Sequence, residues 1–178
     1  LAAFDGLERV VQIGSFSKAL SASVRCGYVA ARPDWIEGLI DLKIAASFGT
    51  GRLAAEMVLS ILKDGSYRKH MDGLRLRLAR AMGETSRRLR AMGIAPWMEP
   101  RGGMFLWCEL PQGQDASVIA RQLLAEDIVL APGNVYSLSQ SAGRFMRFNV
   151  AQSGDPRLFS ALSRAMAAGA KPLGERSV

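Results

Sequence analysis

Apolar residues recur along this chain in two rhythms, one of helices and one of strands, separated by clear breaks. A short apolar run (Val10, Val11, Ile13) marks a strand over Arg9 to Ile13, and Cys26, Tyr28, Val29, Ala30 and Ala31 mark another over Arg25 to Ala31. Leu1 to Leu7 reads as a loop or the end of an upstream element. Pro33 stands where a helix begins, and Asp34 and Glu37 favour its positive end, so a helix is expected to about Ala46. After the break Ser47-Phe48-Gly49-Thr50-Gly51, the residues Leu53, Ala54, Met57, Val58, Ile61 and Leu62 form a helical stripe over Arg52 to Lys63, which Asp64-Gly65 stops. Tyr67 to Met92 is the longest helical candidate, with Met71, Leu74, Leu78, Met82, Thr85, Leu89 and Met92 spaced mostly by three and four. Gly83 weakens its middle by roughly 1 kcal/mol relative to alanine.

Beyond Gly93 the elements shorten. Strands are expected over Ile94 to Met98, Met104 to Leu110, Ile128 to Ala131 and Arg144 to Val150, with helices over Ala116 to Ala125 and from Asp155-Pro156 to about Ala168. Glu99 to Gly103 is a turn, Val135 to Gly143 is polar and irregular, and the tail after Gly169 reads as disordered. The first half therefore looks like the end of an α/β layer, and the second like an α+β unit with a short sheet flanked by helices. A boundary near Gly65 to Lys69 divides the chain into residues 1–66, 67–170 and a tail, 171–178.

Composition narrows the classes. An apolar share of 49% suits a globular protein with a core, and no apolar run approaches the ~20 residues of a membrane span. The chain opens on Leu1 without a basic-then-apolar leader and reads as part of a longer protein. Cys26 and Cys108 lie in strand-like apolar surroundings with no ligand pattern around them, which points to reduced thiols, no metal site and a cytoplasmic setting. The net charge of +7 permits anion or nucleic-acid affinity. Its densest region is the long helix, whose arginines (Arg75, Arg77, Arg80, Arg87, Arg88, Arg90) read as a solvated face, since no base-reading Asn, Gln or aromatic group is interleaved.

The candidate chemistry centres on Gly14-Ser15-Phe16-Ser17-Lys18, with Arg25 seven residues after the lysine. A lysine amine can attack a carbonyl to form a Schiff base, and hydroxyls with an arginine suit a phosphate. One lysine, two serines and one arginine are what an aldehyde bearing a phosphate requires, and pyridoxal phosphate is such a molecule. Fully extended, seven residues span roughly 23 Å, so these groups meet at one ligand only if Ala19 to Val24 turn back. On residue types alone, a surface lysine in a Ser-rich turn is the simpler reading.

The Ser15-Phe16-Ser17-Lys18 segment with Arg25 and Gly27-Tyr28 resembles the lysine segment of fold-type I aminotransferases. The resemblance continues in Pro100-Arg101-Gly102-Gly103-Met104-Phe105-Leu106-Trp107, in Ala131-Pro132-Gly133 and in Arg144-Phe145-Met146-Arg147-Phe148-Asn149, in matching order over Arg9 to Met166. Ser21 to Tyr28, Val129 to Ser137 and Asn149 to Ser153 resemble, more narrowly, the MocR-type regulators of the GntR superfamily. Those proteins join a winged helix-turn-helix to an aminotransferase-like domain. Most aminotransferases carry Pro-Gly two residues before the arginine, where this chain has Ala22-Ser23. The alternative is a fragment of a true aminotransferase acting on an amino acid.

The resemblance implies the end of a large pyridoxal-phosphate domain followed by a small domain. It implies that Lys18 forms the internal aldimine, that Ser15, Ser17 and Arg25 hold the cofactor phosphate, and that Arg147 pairs with an α-carboxylate. It implies an amino acid or related effector, a homodimer, and DNA contact only through a domain before Leu1. It also assigns the groups around the cofactor ring to sequence before Leu1, so the chain alone is expected neither to transaminate nor to hold the cofactor tightly. Three further expectations concern single residues. His70 is a solvated side chain, Phe105 and Trp107 are core, and Asn134 and Tyr136 have a loop role, with a place near the ligand as the alternative.

Overall fold

The computed structural model describes residues 1–49 and 51–169. Thr50 and the tail expected over 171–178 lie outside the described residues. The chain forms two compact units, one from Leu1 to Asp72 and a second beginning at Gly73. The division falls inside the long helix, about five residues beyond the boundary expected from the pattern.

In the first unit, helix α1 (Ala2–Asp5) ends on Gly6 in the left-handed conformation. Strand β1 (Gln12–Ser15) pairs antiparallel with β2 (Gly27–Ala30). The expected strand began at Arg9, but Asp5 accepts hydrogen bonds from the Arg9 and Val10 amides at 2.6 and 2.9 Å and holds them off the ladder. Helices α2 (Pro33–Ser47) and α3 (Arg52–Lys63) follow the predicted spans within a residue. Val58 is the only buried large hydrophobic among the described residues of this unit; Leu39, Ile40, Leu42, Ile44, Leu53 and Met57 stay exposed.

Helix α4 (Ser66–Ala91) runs from the first unit into the second. The second unit is built on a sheet of order β3-β4-β6-β5, antiparallel throughout, from β3 (Ala95–Pro96), β4 (Phe105–Glu109), β5 (Ala131–Pro132) and β6 (Phe145–Asn149). Alternation along β4 and β6 sends Leu106, Cys108, Met146 and Phe148 to one face. There they are buried with Met82 and Leu89 of α4, Ile119 and Leu123 of α5 (Ala116–Leu124), and Ala161 and Leu162 of α6 (Pro156–Gly169). The apolar stripe of α4 thus finds its core from Leu78 onward. Arg87 and Arg88 of its basic face are paired with Glu84, and Arg90 with Glu99.

Two expected strands shrink. Ile94 to Met98 keeps two ladder residues because Ile94 is still tied to the helix end, its amide donating to the Leu89 carbonyl at 3.0 Å. Ile128 to Ala131 pairs only from Ala131, since the Ile128 amide closes the turn after α5 on the Leu123 carbonyl at 3.0 Å.

Candidate functional site

Ser15 is the last residue of β1, and the ladder extends one rung past it, with the Phe16 amide donating to the Cys26 carbonyl at 3.0 Å. Ala19 to Val24 do turn back. The Phe16 carbonyl accepts from the Ala19 and Leu20 amides at 3.2 and 2.8 Å, and a 3-10 turn over Ala22–Val24 is capped by the Ser21 hydroxyl, which accepts from the Ser23 amide at 3.2 Å. The Ser21-Ala22-Ser23 segment that departs from the enzymes' pattern is this capped turn. The register pairs Gln12 with Ala30 and Ser15 with Gly27, so Ser17 and Arg25 each adjoin the last rung, between Phe16 and Cys26. Ser15, Ser17, Lys18 and Arg25 therefore share one end of one hairpin.

Local geometry serves the site. Arg25 has φ +48°, a left-handed conformation that a non-glycine residue adopts at a cost of about 1 kcal/mol or more. Gly27 has its reason in the pairing: a Cβ there would stand 2.8 Å from the Gly14 carbonyl oxygen of the partner strand. The Ser17 amide donates to the Ser15 hydroxyl oxygen at 3.2 Å, which leaves that hydroxyl's own proton for another acceptor. Ser15, Lys18 and Arg25 are exposed and Ser17 is half-buried. Among the described residues, no carboxylate lies within ion-pair distance of Lys18 or Arg25. Two cations without carboxylates, beside two hydroxyls, fit an anionic phosphate carried by an aldehyde. A recess of about 660 Å³ between the hairpin and helices α2 and α3 is mostly apolar and includes Arg25 but neither serine nor Lys18.

Arg147 lies on the opposite face of the second unit's sheet from the core, in register with Trp107. It is half-buried on an inner strand. Its guanidinium carbon is 4.3 Å from the Phe105 ring centre and 4.7 Å from that of Tyr136. Trp107 stacks on Phe145 (5.5 Å, 9°) and meets Tyr136 edge-on (5.8 Å, 80°). No carboxylate pairs with Arg147 among the described residues, whereas its neighbour Arg144 pairs with Glu109 at 3.1 Å.

One expectation is corrected here. Phe105 and Trp107 are not core: strand parity turns them away from Leu106 and Cys108 and towards Arg147. Tyr136 sits in a 3-10 turn, Gly133–Tyr136, that carries its ring to Arg147; Gly133 permits this because a Cβ would collide with the Ala142 and Phe145 carbonyl oxygens. His70 is exposed, as expected of a solvated side chain, and its Nε2 lies 2.7 Å from the Ala19 carbonyl oxygen. The pairing of Tyr136 with Arg147 had no signal in the sequence beyond its place after Pro132-Gly133. Among the described residues there is no His, Cys, Asp and Glu cluster fit for a metal, and no helix is long and apolar enough to cross a membrane.

A hairpin that presents a lysine, two serines and an arginine, followed by an α+β unit, is the arrangement of a pyridoxal-phosphate-dependent transferase domain. The chain belongs to the aminotransferase class I and II family, whose model matches residues 3–164. It is 31% identical over 144 residues to the HTH-type transcriptional regulator NorG of Staphylococcus aureus, covering 79% of this chain and 33% of that protein. It is 29% identical over 161 residues to the 2-aminoadipate transaminase of Thermus thermophilus, covering 85% and 38%. The chain thus spans about a third of the length of these curated relatives. Among solved structures, the α-aminoadipate aminotransferase LysN of Thermus thermophilus, complexed with N-(5'-phosphopyridoxyl)-L-leucine, superposes with a TM-score of 0.82 at 26% identity, over 94% of this chain and 44% of that one. The kynurenine aminotransferase of Pyrococcus horikoshii, at 22% identity, shares the fold with a TM-score of 0.83 over 95% and 43%. Pyridoxal phosphate is the cofactor of this family.

Proposed function

We propose that this chain is the C-terminal part of the aminotransferase-like effector domain of a MocR/GntR-type transcription regulator. The observation that supports the cofactor assignment is the closed hairpin, at one end of which Ser15, Ser17, Lys18 and Arg25 all lie. The likeness to a regulator named HTH-type supports the regulatory half. Ser15 and Ser17 donate hydroxyl hydrogen bonds to the cofactor phosphate, and Arg25 adds a forked, fully charged donor. Lys18 supplies the amine that bonds the cofactor and can hold or release a proton at Nζ. Arg147, without a carboxylate partner among the described residues and held against two rings, takes the α-carboxylate of an amino acid or related effector. When bound, pyridoxal phosphate supplies an electrophilic carbonyl and an electron sink. The full-length protein is a homodimer that contacts DNA through a domain preceding this one.

The test uses the full-length protein. Borohydride reduction with pyridoxal phosphate should fix the cofactor to the Lys18 peptide, as read by mass spectrometry, and Lys18→Ala should abolish that adduct. Undiminished labelling in Lys18→Ala would sink the assignment. An amino acid should then change the affinity for DNA without steady release of keto acid. Sustained turnover to keto acid would instead mark the chain as part of a true aminotransferase.

A further inference from the structure

We infer that His70, with Tyr67, is a positioning residue for Lys18; the inference rests on the reading of Lys18 as the cofactor lysine. Lys18 stands in a tight turn, and the residues two before and one after it are both tied to the first turns of α4. On one side, the Phe16 ring meets Tyr67 edge-on at 5.7 Å and 75°, and it also lies 6.0 Å from Tyr28. On the other, the Ala19 carbonyl oxygen is 2.7 Å from His70 Nε2. Tyr67 and His70 are three apart, so they project from the same face of the helix.

A carbonyl oxygen only accepts, so the contact assigns a proton to Nε2, in the neutral Nε2–H tautomer or in the imidazolium. The Phe16 carbonyl is already taken up by the Ala19 and Leu20 amides. The peptide plane that follows Lys18 is held by the Ala19 amide on the Phe16 carbonyl, and the hydrogen bond from His70 fixes the next plane, between Ala19 and Leu20. The Lys18 side chain is exposed and has no carboxylate partner among the described residues, so nothing at its tip directs it. What sets its direction is the backbone from which it springs. A nucleophile must meet its carbonyl in a narrow geometry, and a misplacement of about 1 Å can cost on the order of 100-fold in rate. The latch removes that freedom without touching the amine.

The experiment compares the wild-type full-length protein with His70→Ala, His70→Gln, Tyr67→Phe and Lys18→Ala in the same protein. Each is treated with pyridoxal phosphate and borohydride and mapped by mass spectrometry, with Lys43 and Lys63 as internal references. Hydrogen exchange of the Ala19 and Leu20 amides is followed in parallel. His70→Ala should lower Lys18 labelling about tenfold relative to the references, in line with the loss of one hydrogen bond, and should speed exchange at both amides. His70→Gln, which keeps an N–H donor at similar reach, should restore most of both signals, and Tyr67→Phe, which keeps the ring, should leave both unchanged. If Lys18 is still labelled preferentially in His70→Ala, with exchange unaltered, the latch is wrong while the cofactor lysine stands. If the wild-type full-length protein labels Lys18 no faster than Lys43 and Lys63, the reading of Lys18 itself falls, and the latch with it.

Discussion

Two residues of the second unit show how placement on one sheet divides chemistry from inertness. Arg147 and Cys108 sit on adjacent strands but on opposite faces. Arg147 keeps its donors unspent against the rings of Phe105 and Tyr136, an arrangement in which cation–π attraction orients a planar guanidinium. Arg147→Lys should therefore lose the two-pronged grip: in the full-length protein, the preference for L-leucine over L-leucinamide should drop on the order of 10-fold to 100-fold by calorimetric titration. Equal discrimination in the variant would remove Arg147 from carboxylate recognition. Cys108 is wholly buried, and burial first, then the nearby Glu99 charge, pushes its thiol from an ordinary 9.0 up to about 12. Between those values the folded state keeps a proton that the unfolded state has lost. Stability from this group is therefore intact below pH 9 and declines as pH rises towards 12. Urea denaturation across that window should show a shallower decline in Cys108→Ala than in the wild-type chain.

Among the elements, the helices were more legible than the strands. Their ends carry local chemistry: Pro33 opens α2, Asp64-Gly65 closes α3, and Asp115 caps α5 by accepting from the Ser117 and Val118 amides at 2.7 and 3.1 Å. Asp115→Ala should cost about 0.5–2 kcal/mol, and Asp115→Ser should recover most of it, as measured by chemical denaturation. A cap contribution near zero would mean that α5 is held by Ile119 and Leu123 alone. Strand extents depend on where a partner strand stops. β3 and β5 each keep only two ladder residues because neighbouring amides are claimed by helix-end turns, which no apolar run announces. The hairpin is the element on which function turns. Its residues were legible, but the closure that returns the chain from Lys18 to Arg25 depended on the 3-10 turn at Ala22–Val24.

The molecule as a whole is uneven. The second unit has a continuous core from α4 to α6, while the first buries little besides Val58 and leaves the apolar residues of α2 and α3 exposed. In the 178-residue chain, amides of β1, β2, α2 and α3 should exchange with solvent well before those of β4, β6, α5 and α6. Uniform protection across both units would contradict this. The exposed apolar face also favours self-association of the isolated chain. The sequence by itself determined the helix spans, the α/β to α+β order of elements, and the identity of the chemical groups. These follow from periodicity, caps and residue type, all of which are local. Only the tertiary structure decided which groups meet: Tyr136 and Phe105 against Arg147, and His70 on the carbonyl after Lys18. Those contacts join residues 11, 42 and 51 positions apart, and their formation depends on register, strand parity and turn closure, which no local pattern encodes.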